Sequence, residues 1–217
     1  LRQLGKTAFV LTNEQFTPRF DPFLDALVCE ALPAGATVIS ADIASEGLLS
    51  FDAVRMGLTP VCAVDHHGSN SLACPKLVEA DKAACGEIVH ALLTELGVTV
   101  TKRIAECLYT AISTDTGCFK FSNTSANTHR TAAALIDAGA DVYPINKVFF
   151  DTKSFARLRL EAAMMQLDTL ISTSTRMGPK QLGRMWRTMM AALEAAYKGV
   201  MMQGKFPGCV LSIEMPP

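Results

Sequence analysis

Two adjacent histidines, His66 and His67, directly follow Asp65 in a chain that holds only four histidines. Asp42 lies upstream at the end of an apolar run, and Asp115 lies downstream in a Thr-Asp-Thr-Gly stretch at 114–117. Carboxylates and imidazoles with no cysteine partner form the donor set of Mn²⁺ and similar hard-to-borderline divalent ions. A carboxylate at a strand end can bridge two such ions, with a histidine and a second carboxylate completing one of them. Two ions about 3.5–4 Å apart activate a water and hold the phosphate oxygens of an in-line displacement. Taken singly, each residue has a plainer reading. An Asp at a strand end is commonly a turn residue or a helix N-cap, and a histidine pair is commonly a solvated turn. The conjunction of the three stretches is the signal.

Positioning these residues requires strand ends. Residues 6–12, 36–43 and 60–64 read as strands, with helices expected over 22–32 and 50–57 between them. Strands that are apolar throughout and alternate with helices imply an α/β fold whose parallel sheet is flanked by helices on both faces. Ligands of such sheets bind at the carboxyl ends of the strands, where Asp42 and Asp65 both fall. Beyond the histidines the pattern turns helical over 83–96, 102–113, 125–137, 141–150 and 154–170, with a brief extended piece at 119–121. Residues 172–178 read as a linker, a methionine-rich helix is expected at 180–198, and 204–217 is rich in Pro and Gly.

With 217 residues, of which 49% are hydrophobic, the chain is long enough to bury a core for one domain with material to spare. Its net charge of −1 argues against a broad non-specific nucleic-acid surface while leaving room for a local basic groove. Seven scattered cysteines, with no CxxC pair, read as reduced thiols of a cytoplasmic protein. No apolar run is long enough to span a bilayer, and no signal-peptide pattern is present.

The stretches ADIAS at 41–45, VDHHGSN at 64–70, ACGEIV at 84–89, LIDAGADV at 135–142 and TDTGCFKFSNT at 114–124 together resemble the DHH superfamily of phosphoesterases. The resemblance runs from residue 1 to about residue 170 and is strongest to the branch of oligoribonucleases and 3′-phosphoadenosine 5′-phosphate phosphatases. It implies that Asp42 bridges two Mn²⁺ ions, with Mg²⁺ or Co²⁺ as alternatives, and that His66 and Asp115 bind one of them. His67 would face the substrate phosphate, Asp65 would hold the histidine pair by hydrogen bonding, and Ser122, Asn123 and Thr124 would line the substrate cleft. Glu87 matches a recurrent position too, with the surface of its helix as the alternative, while His90 and His129 read as helix-face residues. The implied substrates are short oligoribonucleotides or nucleotide phosphates. Cyclic dinucleotides and pyrophosphate stay open as alternatives, as do a non-catalytic binding module and a homodimer.

The family's first motif, which supplies a histidine and two aspartates, has no counterpart here, and neither does its glycine-rich GGGH segment. The domain is therefore expected to be N-terminally truncated and a poor catalyst by itself. The expected organisation is a partial phosphoesterase domain over 1–150, a linker helix over 151–172 and a tail over 173–217 of unassigned identity.

Overall fold

The computed structural model describes residues 1–11, 17–24, 27–29, 35–153 and 155–174. By backbone contacts the chain divides into two compact units, Leu1–Asp151 and Thr152–Pro217. The first unit is α/β and holds all the site candidates.

Its central element is a three-stranded parallel sheet in the order β3-β4-β5, made of Ile39–Ala41, Cys62–Asp65 and Lys76–Val78. The register pairs Ser40 with Ala63 and Ala63 with Lys76. Because alternate residues face opposite ways, Ser40, Ala63 and Asp65 share one face, and all three are buried. Ile39 and Leu77 of the outer strands share the other face and are exposed, while Cys62 and Val64 of the central strand on that face are half-buried. A separate pair, β1 (Val10–Leu11) and β2 (Val28–Cys29), is also parallel.

The helix expected over 22–32 is corrected. Among the described residues, helix α1 spans Asp21–Leu24, and Val28 and Cys29 pair with Val10 and Leu11. A non-local ladder has overridden a local apolar period, as tertiary context routinely does. Strand β5 had no expectation. It is three residues long, opens after Pro75, and receives the Ala63 amide on the Pro75 carbonyl at 3.0 Å, so it offers too few side chains for a period to show.

Between β3 and β4 runs α2 (Phe51–Arg55), capped by the Ser50 hydroxyl, which accepts from the Ala53 amide. After β5 come α3 (Cys85–Glu95), α4 (Lys102–Asp115), α5 (Ala126–Asp137) and α6 (Val142–Asn146), the last continuing as a π-turn over Lys147–Asp151. Leu108, Tyr109 and Ile112 of α4 pack with Ala132, Leu135 and Ile145 in a single core. Gly86 brings the start of α3 against the end of α4. A Cβ there would meet Ile112 Cγ1 at 3.1 Å and Ala111 Cβ at 3.2 Å, so any larger residue would need its α4 neighbours to give by a few tenths of an ångström.

In the second unit, Glu161 of α7 (Phe155–Ser174) pairs with Arg157 of the same helix at 2.9 Å and with Lys153, which precedes the helix, at 2.7 Å. The first residues of the expected linker at 172–178 lie in α7. The remainder of that linker and the expected helix at 180–198 lie outside the described residues. No described helix is long and apolar enough to cross a membrane.

Candidate metal centre at the strand ends

Asp42 follows the last residue of β3 and turns the chain out of the sheet with φ of 61°. Its amide still donates to the Val64 carbonyl at 2.9 Å, so the ladder runs one residue past the strand and fixes the turn. Asp is among the few non-glycine residues that occupy this left-handed region readily.

Asp65 ends β4 with its side chain fully buried. Its Oδ1 accepts the His66 amide at 2.7 Å, the His67 amide at 3.0 Å and the His67 ring Nδ1 at 2.8 Å. Its Oδ2 accepts the Asn70 side-chain amide at 2.6 Å. Burial pushes this carboxyl up, but the hydrogen bonds from the His67 ring, Asn70 and the two backbone amides outweigh it and hold it below the usual carboxylate range. The same Asn70 amide group donates to the Ile43 carbonyl at 3.0 Å, tying the histidine turn to the residue after Asp42.

The two histidines are oriented differently. His66 Nδ1 lies 3.2 Å from the Lys82 carbonyl. A carbonyl only accepts, so Nδ1 donates a proton to it and Nε2 is the ring nitrogen that points elsewhere. It points at Asp42 Oδ1, 3.4 Å away, and Asp115 Oδ2, 3.7 Å away. His67 turns its Nδ1 to Asp65 and is about half exposed, with a side-chain accessibility of 48% against 14% for His66. The hydrogen bond to Asp65 raises the His67 pKa, burial lowers it, and the nearby charges of Asp65, Asp42 and Asp115 raise it again, for a net rise.

Asp115 is the last residue of α4. Burial first, then the Asp42 carboxylate, push it up to about 6, with His66 and His67 acting in the opposite sense. Two carboxylates facing one imidazole nitrogen repel each other unless positive charge lies among them. The donor chemistry therefore fits a divalent ion. Ligand atoms of Asp42, Asp65, His66 and His67 all lie within 4.8 Å of one another, and Asp115 joins them through His66.

The turn after Asp115 is a left-handed knot rather than the extended piece expected at 119–121. Gly117, Cys118 and Phe119 take φ of 56°, 58° and 63°. Buried Thr116 holds them: its hydroxyl donates to the Ile112 carbonyl at 2.7 Å and accepts the Phe119 amide at 3.1 Å. Phe119 stacks on His129 with centroids 5.2 Å apart. Aromatic residues favour strands on average, and the hydrogen-bonding of Thr116 has overridden that preference here.

Among the residues expected at the substrate cleft, Ser122 is exposed and Thr124 is half-buried. Asn123 is exposed, but its side-chain amide donates to the Ala83 carbonyl at 3.1 Å and the Asp115 carbonyl at 3.2 Å. The alternative that placed Glu87 on a helix surface is corrected, since Glu87 is only 3% exposed. Its oxygens accept from the Ala83 amide at 3.2 Å, the Thr128 hydroxyl at 2.8 Å and the Asn127 amide at 2.8 Å. A Glu at the third position of a helix is a recognised capping signal, and ACGEIV carried it. The part played by Asn70 had no sequence signal beyond its polarity.

No protein-family model matches the chain. Over 164 residues it is 34% identical to the bifunctional oligoribonuclease and PAP phosphatase NrnA of Thermus thermophilus, covering 73% of this chain and 49% of that protein. Among solved structures, an exopolyphosphatase-related protein from Bacteroides fragilis matches with a TM-score of 0.57 at 21% identity. That match covers 76% of this chain and 53% of the other, and at such identity it speaks for the fold alone. The chain spans about half the length of each relative.

Proposed function

The matched part of this chain is a domain of the DHH superfamily, and from that premise we propose that it belongs to a metal-dependent phosphoesterase. Its substrates would be the phosphate esters of short oligoribonucleotides or of 3′,5′-bisphosphate nucleotides. The observation that carries the reading is Nε2 of His66 facing Asp42 and Asp115 at 3.4 and 3.7 Å. Asp42, His66 and Asp115 would hold the metal, with Mn²⁺ the ion best suited to carboxylate and imidazole donors. When bound, such ions supply a water acidified to near neutrality and positive charge for the phosphate oxygens.

The remaining work falls to His67 and Asp65. Asp65 holds the His67 Nδ1 proton at 2.8 Å, which leaves Nε2 free to donate to a phosphate oxygen. The raised pKa of His67 favours a cationic ring, whose hydrogen bond to an anionic oxygen is about twice as strong as a neutral one. Asp65 makes no such contact, being wholly buried, and serves by fixing both histidines. For the chain as a whole, residues 1–150 would be the phosphoesterase part, 151–172 a linking helix and 173–217 a separate tail. The division after Asp151 supports the first of these limits.

The test is Mn²⁺ binding by calorimetry, together with hydrolysis of a panel of di- to pentanucleotides, 3′,5′-bisphosphate nucleotides, cyclic dinucleotides and pyrophosphate. Only slow hydrolysis of the first two classes, lost on chelation and in Asp42→Ala, is expected of this chain by itself. A protein that neither binds Mn²⁺ nor hydrolyses any of the panel would refute the reading.

A further inference from the structure

Two polar side chains outside the donor set meet at one residue, Ala83. Glu87 accepts its amide at 3.2 Å, and Asn123 donates to its carbonyl at 3.1 Å. We infer that Glu87 and Asn123 are positioning residues for the metal centre, gripping Ala83 from two sides so that His66 and Asp115 are held against each other. The inference rests on the metal-site reading above and deepens it.

The first arm runs through a single peptide group. The Lys82–Ala83 peptide offers its carbonyl to His66 Nδ1 at 3.2 Å and its N–H to Glu87 Oε1. A carboxylate on the N–H polarises the peptide and strengthens the carbonyl as an acceptor, because linked hydrogen bonds reinforce one another. The same carbonyl fixes Nδ1 as the donor, which leaves Nε2 as the nitrogen turned to Asp42 and Asp115. Glu87 thereby acts on the metal-facing nitrogen without approaching it. It is itself immobilised from α5 by Thr128 and Asn127, both at 2.8 Å.

The second arm runs through Asn123, whose amide nitrogen bonds both Ala83 and Asp115 through their backbone carbonyls. His66 and Asp115 come from β4 and α4, far apart in the chain, and their facing atoms lie 3.7 Å apart. One side chain thus ties the loop that orients His66 to the end of the helix that carries Asp115. With its amide hydrogens committed to backbone, Asn123 has only Oδ1 left for a ligand. That argues for positioning in place of the substrate contact expected from sequence. Partners of this kind typically cost 10–100-fold in metal affinity when removed.

The experiment compares Glu87→Gln and Asn123→Ala with the unaltered protein by two readouts. One is Mn²⁺ affinity without substrate, followed by the split of KM and kcat at saturating Mn²⁺. The other is the His66 tautomer, read from ¹⁵N-histidine spectra of the metal-free protein at pH 8. Glu87→Gln is expected to mix the His66 tautomers, and both variants to lose about tenfold or more in Mn²⁺ affinity. Turnover should recover at high Mn²⁺ with KM unchanged. Affinity and tautomer like the unaltered protein in both variants, even with a lower melting temperature, would overturn the inference. So would a raised KM at normal metal affinity in Asn123→Ala, the mark of a substrate contact. If Glu87→Gln does not fold, Asn123→Ala on its exposed turn decides. If the unaltered protein binds no Mn²⁺, the phosphoesterase reading fails, and the tautomer of Glu87→Gln still decides the first arm.

Discussion

Asp65 Oδ1 lies 2.8 Å from His67 Nδ1 while the same oxygen accepts the amides of His66 and His67. One buried atom therefore sets the backbone of the histidine pair and the ring of its second member. With the other oxygen on Asn70, the carboxylate is saturated, and the turn cannot relax without leaving donors unpaired.

Asp65→Asn is accordingly expected to destabilise the metal-free protein by about 2–3 kcal/mol, because its new NH₂ would face donors in a buried site. Denaturant melts in chelator at pH 7 measure this. The folded pKa of Asp65 lies below its ordinary 3.8, so the fold favours the ionised form. That contribution is complete well above pH 3.8 and is lost as pH falls through the folded value. The stability gap between the native protein and Asp65→Asn should therefore close in acid. A gap independent of pH would contradict the assignment.

Gly117→Ala should damage the centre from the far side of Asp115. Gly117 has φ of 56°, and an added Cβ would meet three Phe121 ring atoms at 2.4 to 2.8 Å. The exposed Phe121 ring can swing aside, so the left-handed backbone strain dominates, for a loss of about 1–2 kcal/mol in stability. The turn displaced is the one that carries Asn123, so Mn²⁺ affinity should fall as well. Normal stability and affinity in this variant would show that the knot is not needed.

Much of this site was legible because its residues end strands and helices whose apolar patterns are long or strongly bounded. Asp42, His66 and His67 follow β3 and β4, and Asp115 closes α4, whose 14 residues show a clear helical period. What escaped notice depended on partners remote in sequence. Strand β2 exists only through Val10 and Leu11. Glu87 is buried only because α5 brings Asn127 and Thr128 to it, 40 and 41 residues away. The amide of Asn123 meets the carbonyl of Ala83, 40 residues upstream, a contact that no local pattern announces. Local pattern locates the donors, and long-range hydrogen bonds decide what supports them.

Cys85 lies beside the centre with its thiol 3.3 Å from the Val64 carbonyl. Burial, and then the charge of Asp42, push it up to about 12, so the thiolate is scarce at neutral pH. Iodoacetamide at pH 8 should leave Cys85 unmodified in the folded protein and label it fully in urea, as peptide mass spectrometry would reveal. Rapid native labelling would mean that the start of α3 opens far more readily than its packing indicates.

Metal binding should itself be pH-dependent, with a sign fixed by Asp115. Its carboxyl is pushed up to about 6 in the metal-free protein by burial and by Asp42. Below that pH the proton occupies the oxygen that a cation would need, so Mn²⁺ affinity should fall by roughly tenfold per pH unit there and level off above it. Asp115→Asn removes the competing proton and the ligand charge together, and should bind weakly with a flatter profile through that range. His67→Ala provides the contrast. Its ring is about half exposed and its Nδ1 is committed to Asp65, so its loss should leave Mn²⁺ affinity within about threefold while lowering turnover by about 10²-fold, the usual cost of removing one donor to a developing anion. Calorimetry from pH 5 to 8, paired with hydrolysis rates at saturating Mn²⁺, measures both halves. An affinity that rose as pH fell, or a His67→Ala protein that lost its metal but kept its rate, would reverse the roles assigned to Asp115 and His67.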